Sequence, residues 1–182
     1  MGEAKQLLPL GQTTLLGQTI ATIRRSAVDK IILVLGASAA AIQQSLDTEG
    51  LHIVHNPDYA EGMSTSLRAG LSAVPADLDA AFIVLADQPL LQPATLDHLA
   101  QHYRQSKAQI VVPTFQGTRG NPVLLDRSVF AEVMALQGDV GCRAIFGKHE
   151  AALLKVEVMD EGILLDIDRP EDYDRLLQNQ LS

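Results

Sequence analysis

Ala80-Ala81-Phe82-Ile83-Val84-Leu85-Ala86-Asp87-Gln88-Pro89 is the stretch whose reading decides the fold. Residues 80–86 are apolar without a break and without alternation, the pattern of a strand buried on both faces. The run delivers Asp87 to the strand's carboxyl end, where Pro89 turns the chain. An aspartate there either caps the turn or holds a hard cation against a phosphate, because ligands of parallel α/β sheets collect at that end of the strands.

The same grammar repeats on both sides of this stretch. Apolar runs at 30–36, 52–55, 109–113, 122–125 and 152–158 read as strands, and amphipathic segments at 13–25, 38–46, 64–73, 93–105, 128–136 and 170–179 read as helices. A threonine stands at the start of the first helix and Pro93 in the first turn of the fourth, both ordinary start signals. The alternation predicts an α/β fold, a mostly parallel sheet with helices on both faces, in one domain over 1–182. Apolar residues make up 47% against 4% aromatics and no Trp, so the core is built from Ala, Leu, Ile and Val. The net charge of −8, with 22 acidic and 14 basic residues and no basic block, argues against nucleic acid as a partner. Cys142 is the sole cysteine, so no intrachain disulfide forms, and a reducing cytoplasm is the expected compartment. No apolar run approaches the roughly 18 residues of a membrane span, and no leader-like segment precedes Lys5, so neither membrane nor secretion is expected.

Four further segments carry candidate chemistry. Asp166-Ile167-Asp168-Arg169-Pro170-Glu171-Asp172 reads as a helix start capped by Asp168, yet alternation also puts Asp166 and Asp168 on one side of an extended segment, where either can reach a metal. The loop from Asn56 through Gly62-Met63-Ser64-Thr65-Ser66-Leu67-Arg68 opens a helix rich in hydroxyls, where Ser64 caps the helix or, with Ser66 and free amides, holds an anion. Arg119-Gly120-Asn121-Pro122 and Gly138-Asp139-Val140-Gly141-Cys142-Arg143 are glycine-bearing loops, each with an arginine. His98 and His102 have the i, i+4 spacing of a metal face without a third ligand, and Cys142 has no activating partner. No Gly-x-Ser-x-Gly elbow or Ser-His-Asp order is present, so covalent catalysis has no support.

Lys5-Gln6-Leu7-Leu8-Pro9-Leu10, the 56–70 segment, Leu85-Ala86-Asp87-Gln88-Pro89, Arg119-Gly120-Asn121-Pro122, Gly138-Asp139-Val140-Gly141 and the 166–172 cluster together resemble the molybdenum cofactor cytidylyltransferase group of the MobA-like nucleotidyltransferases. The resemblance spans nearly the whole chain. It implies a Rossmann-like nucleotidyltransferase fold and an enzyme that transfers CMP from CTP to the terminal phosphate of molybdopterin cofactor, releasing pyrophosphate with Mg²⁺ as cofactor. Carried over residue by residue, it assigns Lys5 to the phosphates and Asp87 to the metal. Asp168, or Asp166, completes the metal site. Asn56, Gly62, Met63, Ser64, Ser66 and Arg68 line the nucleotide, and Arg119, Asn121, Asp139 and Arg143 face the pterin. Guanylyltransferase relatives carry a Gly-Pro-Leu-Ala-Gly-like segment where this chain has Gly62-Met63-Ser64-Thr65-Ser66, which favours cytidine. A recipient molybdoenzyme is an implied partner. The alternatives are a relative using GTP or another phosphate acceptor, and a non-catalytic cofactor-binding or chaperone module.

One departure separates the chain from that pattern. The family opens with a central buried strand and a loop of the form Leu-Ala-Ala-Gly-x-Ser-x-Arg-Met-Gly just ahead of the lysine, of which only Met1-Gly2 corresponds here. The strand belongs between those at 31–35 and 82–86, and each unpaired buried backbone group left behind costs roughly 1–3 kcal/mol. Set against a total stability of about 5–15 kcal/mol, that loss is large. The expectation is that the sequence starts inside the family's domain and, as it stands, binds CTP weakly.

Overall fold

The computed structural model describes residues 5–180, so Met1-Gly2 lies outside the described residues. Two short strands, β1 (Pro9–Leu10) and β2 (Thr13–Thr14), pair antiparallel and lead into helix α1 (Leu15–Arg24). Thr14 caps that helix, its hydroxyl accepting from the Gly17 amide at 3.1 Å, and Leu15, Leu16 and Ile20 turn inward. Strand β3 (Ile31–Leu35), helix α2 (Ala39–Ser45) and strand β4 (Leu51–His55) form a parallel βαβ unit. Helix α3 (Met63–Ser72) then leads to β5 (Ala80–Ile83).

The largest sheet contains β5, β6 (Ile110–Phe115), β7 (Thr118–Arg119), β8 (Val123–Asp126) and β9 (Leu153–Glu157), in the order β5-β8-β6-β7 with β9 on β6. It is mixed rather than mostly parallel: β6 runs parallel to β9 but antiparallel to β7 and β8, and β5 is antiparallel to β8. The cause is local. Between β6 and β7 stand only Gln116 (φ 51°) and Gly117 (φ 78°), a tight left-handed turn that reverses the chain where a parallel connection needs a crossover.

Two strand boundaries differ from the sequence reading for physical reasons. β5 ends at Ile83, three residues before the apolar run does, because its partner begins at Val123 and the preceding Pro122 has no N–H to continue the ladder. Pro113 falls inside β6 rather than ending it, between the residues that pair with β8 and those that pair with β7. The 11-residue 3-10 segment Cys142–Ala152 has no clear apolar period and was not expected as an element.

Both faces of the larger sheet are covered. Ile110, Val112, Val123 and Leu125 pack with α3, α5 (Phe130–Met134) and the 3-10 segment on one side. Val111, Leu124 and Val156 pack with Leu96, Leu99 and Tyr103 of α4 (Pro93–Ser106) on the other. Helix α6 (Pro170–Gln180) closes the chain, with Leu176 against Leu15 and Ile167. No helix of the described residues is long and apolar enough to cross a membrane.

β3 and β5 are not neighbours in any sheet. Between them lies a cavity of about 570 Å³ lined by Ile31, Leu33, Phe82 and Val84, with Leu67 and Ile20 from the covering helices. These strand residues are half-buried although their composition is that of a sheet interior. The β3-β4 pair and the five-stranded sheet stand apart here.

At the far end of β8, the Tyr103 hydroxyl donates to Asp126 Oδ2 at 2.6 Å and ties α4 to the sheet. Burial pushes the Asp126 carboxyl up, but its bonds from Ser128 and Tyr103 outweigh that and leave it below its ordinary 3.8. Its contribution is therefore complete above the ordinary carboxylate value and disappears as the pH falls through the lowered one. Tyr103→Phe is expected to cost about 1 kcal/mol at pH 7 in urea unfolding. The difference should shrink below about pH 4, and a pH-independent difference would contradict this account.

Candidate active site

The site forms at Asp87, four residues beyond the end of β5. The Ile167 amide donates to the Asp87 carbonyl at 3.0 Å, which lays the extended 165–168 segment alongside the strand end. Ile167 points into the core with Leu10, Leu15 and Leu176, so its neighbours Asp166 and Asp168 face the other way, as their alternation predicted. Lys5 enters from the 3-10 turn Lys5–Leu7, which is fastened to α1 by the Leu15 amide donating to the Leu8 carbonyl at 3.0 Å. Its Nζ donates to Asp87 Oδ2 at 2.5 Å and to Asp168 Oδ1 at 2.7 Å. Three residues separated by up to 163 positions, each singled out in the sequence, thus meet at one point.

The charge at this point does not balance. Burial alone would lower the Lys5 pKa, but hydrogen bonds and charge from Asp168 and Asp87 outweigh it and hold the ammonium above its ordinary 10.5. Asp166 adds a further carboxylate, pushed up by burial and by the Asp87 charge, while a hydrogen bond from Gln88 opposes that rise. Asp87 Oδ1 is buried with no hydrogen-bond partner among the described residues. An oxygen-only donor set with an orphaned buried carboxylate atom fits a hard divalent cation. No three acidic or imidazole side chains among the described residues converge into a ready-made cage. Mg²⁺ is ordinarily held by one or two carboxylates plus substrate oxygens and water, so these aspartates suffice as the protein's share.

The loop entering α3 has a different role from the one its hydroxyls suggested. Asn56 is buried, its amide donating to Thr65 Oγ1 at 2.8 Å and Ser66 Oγ at 3.0 Å while its Oδ1 accepts from the Asp58 amide. The helix cap position is Gly62, not Ser64, which is wholly buried with its hydroxyl unpartnered among the described residues. Asp139 Oδ1 accepts from the Met63 amide at 3.2 Å and the Gly138 carbonyl from the Ser64 amide at 3.3 Å, so the helix amides are engaged by the facing loop rather than open to an anion. Gly62 has φ 113°, and a Cβ there would lie 2.5 Å from the Asp139 nitrogen, so only glycine permits this contact. Arg68 is a strut: its guanidinium donates to the Met134 and Leu136 carbonyls. Met63 stays exposed beside Gly141.

On the remaining wall, Arg143 donates to the buried Asn121 Oδ1 at 3.2 Å, and Arg119 lies 4.8 Å over the Phe146 ring. Both cations are solvent-facing. Gly120 packs so closely on Ile163 that a Cβ would lie 2.3 Å from its carbonyl oxygen, and the Asn121 amide donates to that same oxygen at 3.0 Å. Asp160, which no motif flagged, is buried and accepts from Gln92, Thr95 and Gly162, fixing the start of α4 to the 3-10 turn Glu161–Leu164. In the sequence it reads only as the start of an Asp160-Glu161-Gly162 turn, with no sign of its distant partners. His98 and His102 form an edge-on ring pair at 4.6 Å, and burial pushes the Cys142 thiol up to about 11, consistent with an inert packing role.

Residues 1–153 match the profile of the MobA-like NTP transferase domain. Among curated proteins, the chain is 28% identical to the molybdenum cofactor cytidylyltransferase of Escherichia coli, over 95% of this chain and 86% of that one. It is also 27% identical to the nicotine blue oxidoreductase of Paenarthrobacter nicotinovorans, over 95% and 87%. Among solved structures, Rv0371c of Mycobacterium tuberculosis in complex with manganese superposes with a TM-score of 0.83 at 31% identity, covering 97% of this chain and 93% of that one.

The Lys5 cluster has a pH signature. Because the folded chain binds the Lys5 proton more tightly than the unfolded chain, this stabilisation is complete below about pH 10 and is lost as the pH rises through the raised value. Lys5→Met should lower stability at pH 7 by about 1–2 kcal/mol, less than for a fully buried pair because Asp168 is exposed. Urea unfolding between about pH 9 and 11.5 should show a steeper loss for the wild type than for the variant. Parallel curves would show that Lys5 is not held by these carboxylates.

Proposed function

The chain belongs to the MobA-like NTP transferase family, and from that premise we propose that it transfers CMP from CTP to the terminal phosphate of a molybdopterin-type cofactor. In this reaction a phosphate oxygen of the acceptor attacks the α-phosphorus of CTP, a new P–O bond forms, the bond to the bridging oxygen breaks, and pyrophosphate leaves. The observation that carries the reading is the meeting of Lys5, Asp87 and Asp168 in the turn that follows β5. An in-line displacement of this kind asks for charge neutralisation and positioning rather than a protein nucleophile.

The residues divide accordingly. Lys5 supplies the ammonium that meets the triphosphate. Asp87 and Asp168, with Asp166 beside them, would hold a divalent cation, and magnesium is the proposed ion. When bound, that ion neutralises phosphate charge and polarises the phosphorus that is attacked. Arg119 and Arg143, with Asn121 fixed between Arg143 and Ile163, form a cationic wall suited to an anionic acceptor. Gly62-Met63-Ser64-Thr65-Ser66, in place of the guanylyltransferase segment, supports cytidine as the base. The cytidylyltransferase similarity supports the pterin as acceptor, and a molybdoenzyme is the proposed recipient of the product.

Pyrophosphate release tests this directly, since nucleotidyl transfer produces it and hydride transfer does not. With purified molybdopterin cofactor and each of the four ribonucleoside triphosphates, release is expected with CTP and a divalent cation. Asp87→Ala should reduce it at least about a hundredfold, the scale of several kcal/mol of lost charge stabilisation. GTP preferred over CTP would reassign the base. Cofactor binding with no turnover from any triphosphate would overturn the enzymatic reading.

A further inference from the structure

Gln88 is wholly buried and unused by the reading above, although it follows Asp87 directly. Its Nε2 donates to Asp166 Oδ1 at 2.6 Å and to the Ile163 carbonyl at 3.2 Å. Both partners can only accept, so the orientation of the amide is fixed by the network. The Ile163 oxygen also accepts from the Asn121 amide at 3.0 Å, and Asn121 in turn accepts from Arg143. A single carbonyl oxygen therefore joins the carboxylate cluster around Asp87 to the arginine wall. Gln88 Oε1 is left without a partner among the described residues, a cost that packing alone does not explain.

We propose that Gln88 is a positioning residue: it aims the Asp166 carboxylate into the Lys5–Asp87–Asp168 cluster and sets that carboxylate in register with the Asn121–Arg143 wall. The inference rests on the reading of this cluster as a divalent-cation and nucleotide site. Hydrogen-bond partners of metal-directed carboxylates fix their orientation, and losing one commonly costs ten- to a hundredfold in metal affinity. Leu or Met at this position would fill the space and leave Asp166 free to turn. An asparagine would keep the amide but fall short of both partners.

The test is a double-mutant cycle read by Mn²⁺ binding, with free Mn²⁺ followed by electron paramagnetic resonance in the presence of CTP. Gln88→Met and Gln88→Asn are each expected to weaken Mn²⁺ by about tenfold in the wild-type background. In an Asp166→Ala background the same changes should have less than about a twofold effect, because the group they act through is gone. Far-ultraviolet circular dichroism identifies folded variants, and the asparagine variant serves if the methionine variant does not fold. Equal losses in both backgrounds, or none in either, would overturn the role of Gln88 while leaving the metal site in place. Failure of the wild-type chain to bind Mn²⁺ would overturn the metal reading and this inference with it.

Discussion

One ammonium among several carboxylates is the constraint around which this molecule is arranged. Lys5 lies between Asp87 and Asp168, and Asp166 stands close enough for the Asp87 charge to raise its pKa. A protein built only for stability would balance such charges or replace them, because partly buried carboxylates without partners are costly. Here the imbalance sits at the carboxyl end of an apolar strand, where it suits a ligand that brings positive charge of its own.

The packing around this point explains how a small, aromatic-poor chain holds it. Ile167 and Asp87 are joined by a backbone hydrogen bond, so the direction of the 165–168 segment is set by main chain rather than by flexible side chains. Leu10, Leu15, Ile167 and Leu176 close beneath it and bring the two ends of the chain together. Across from it, the Gly138-Asp139 loop caps α3, which makes Asp139 a support of the wall rather than a free acid. The Arg68 strut to Met134 and Leu136 fixes the same helix from behind.

Much of this was legible in the sequence because it is local. The apolar run ending in Asp87 and the alternation of Asp166, Ile167 and Asp168 needed only strand periodicity. The sheet direction was not legible in the same way: two residues, Gln116 and Gly117, replace a crossover and turn a parallel expectation into a mixed sheet. The Gln88 amide and the bonds of Asp160 to Gln92 and Thr95 were invisible because these partners lie 65 to 78 positions away. Ser64 resembled a helix cap, but Gly62, which alone tolerates φ 113° against the Asp139 backbone, takes that position.

A cavity of about 570 Å³ lies between β3 and β5, which share no sheet, and the Lys5 cluster forms without any pairing between these two strands. Diffraction from crystals grown with Mn²⁺ and a non-hydrolysable CTP analogue, recorded for manganese anomalous scattering, tests the central claim most directly. An anomalous peak at Asp87 and Asp168, with Lys5 moved onto the triphosphate, is the predicted result. Lys5 still bridging the two carboxylates, with manganese bound elsewhere, would contradict it.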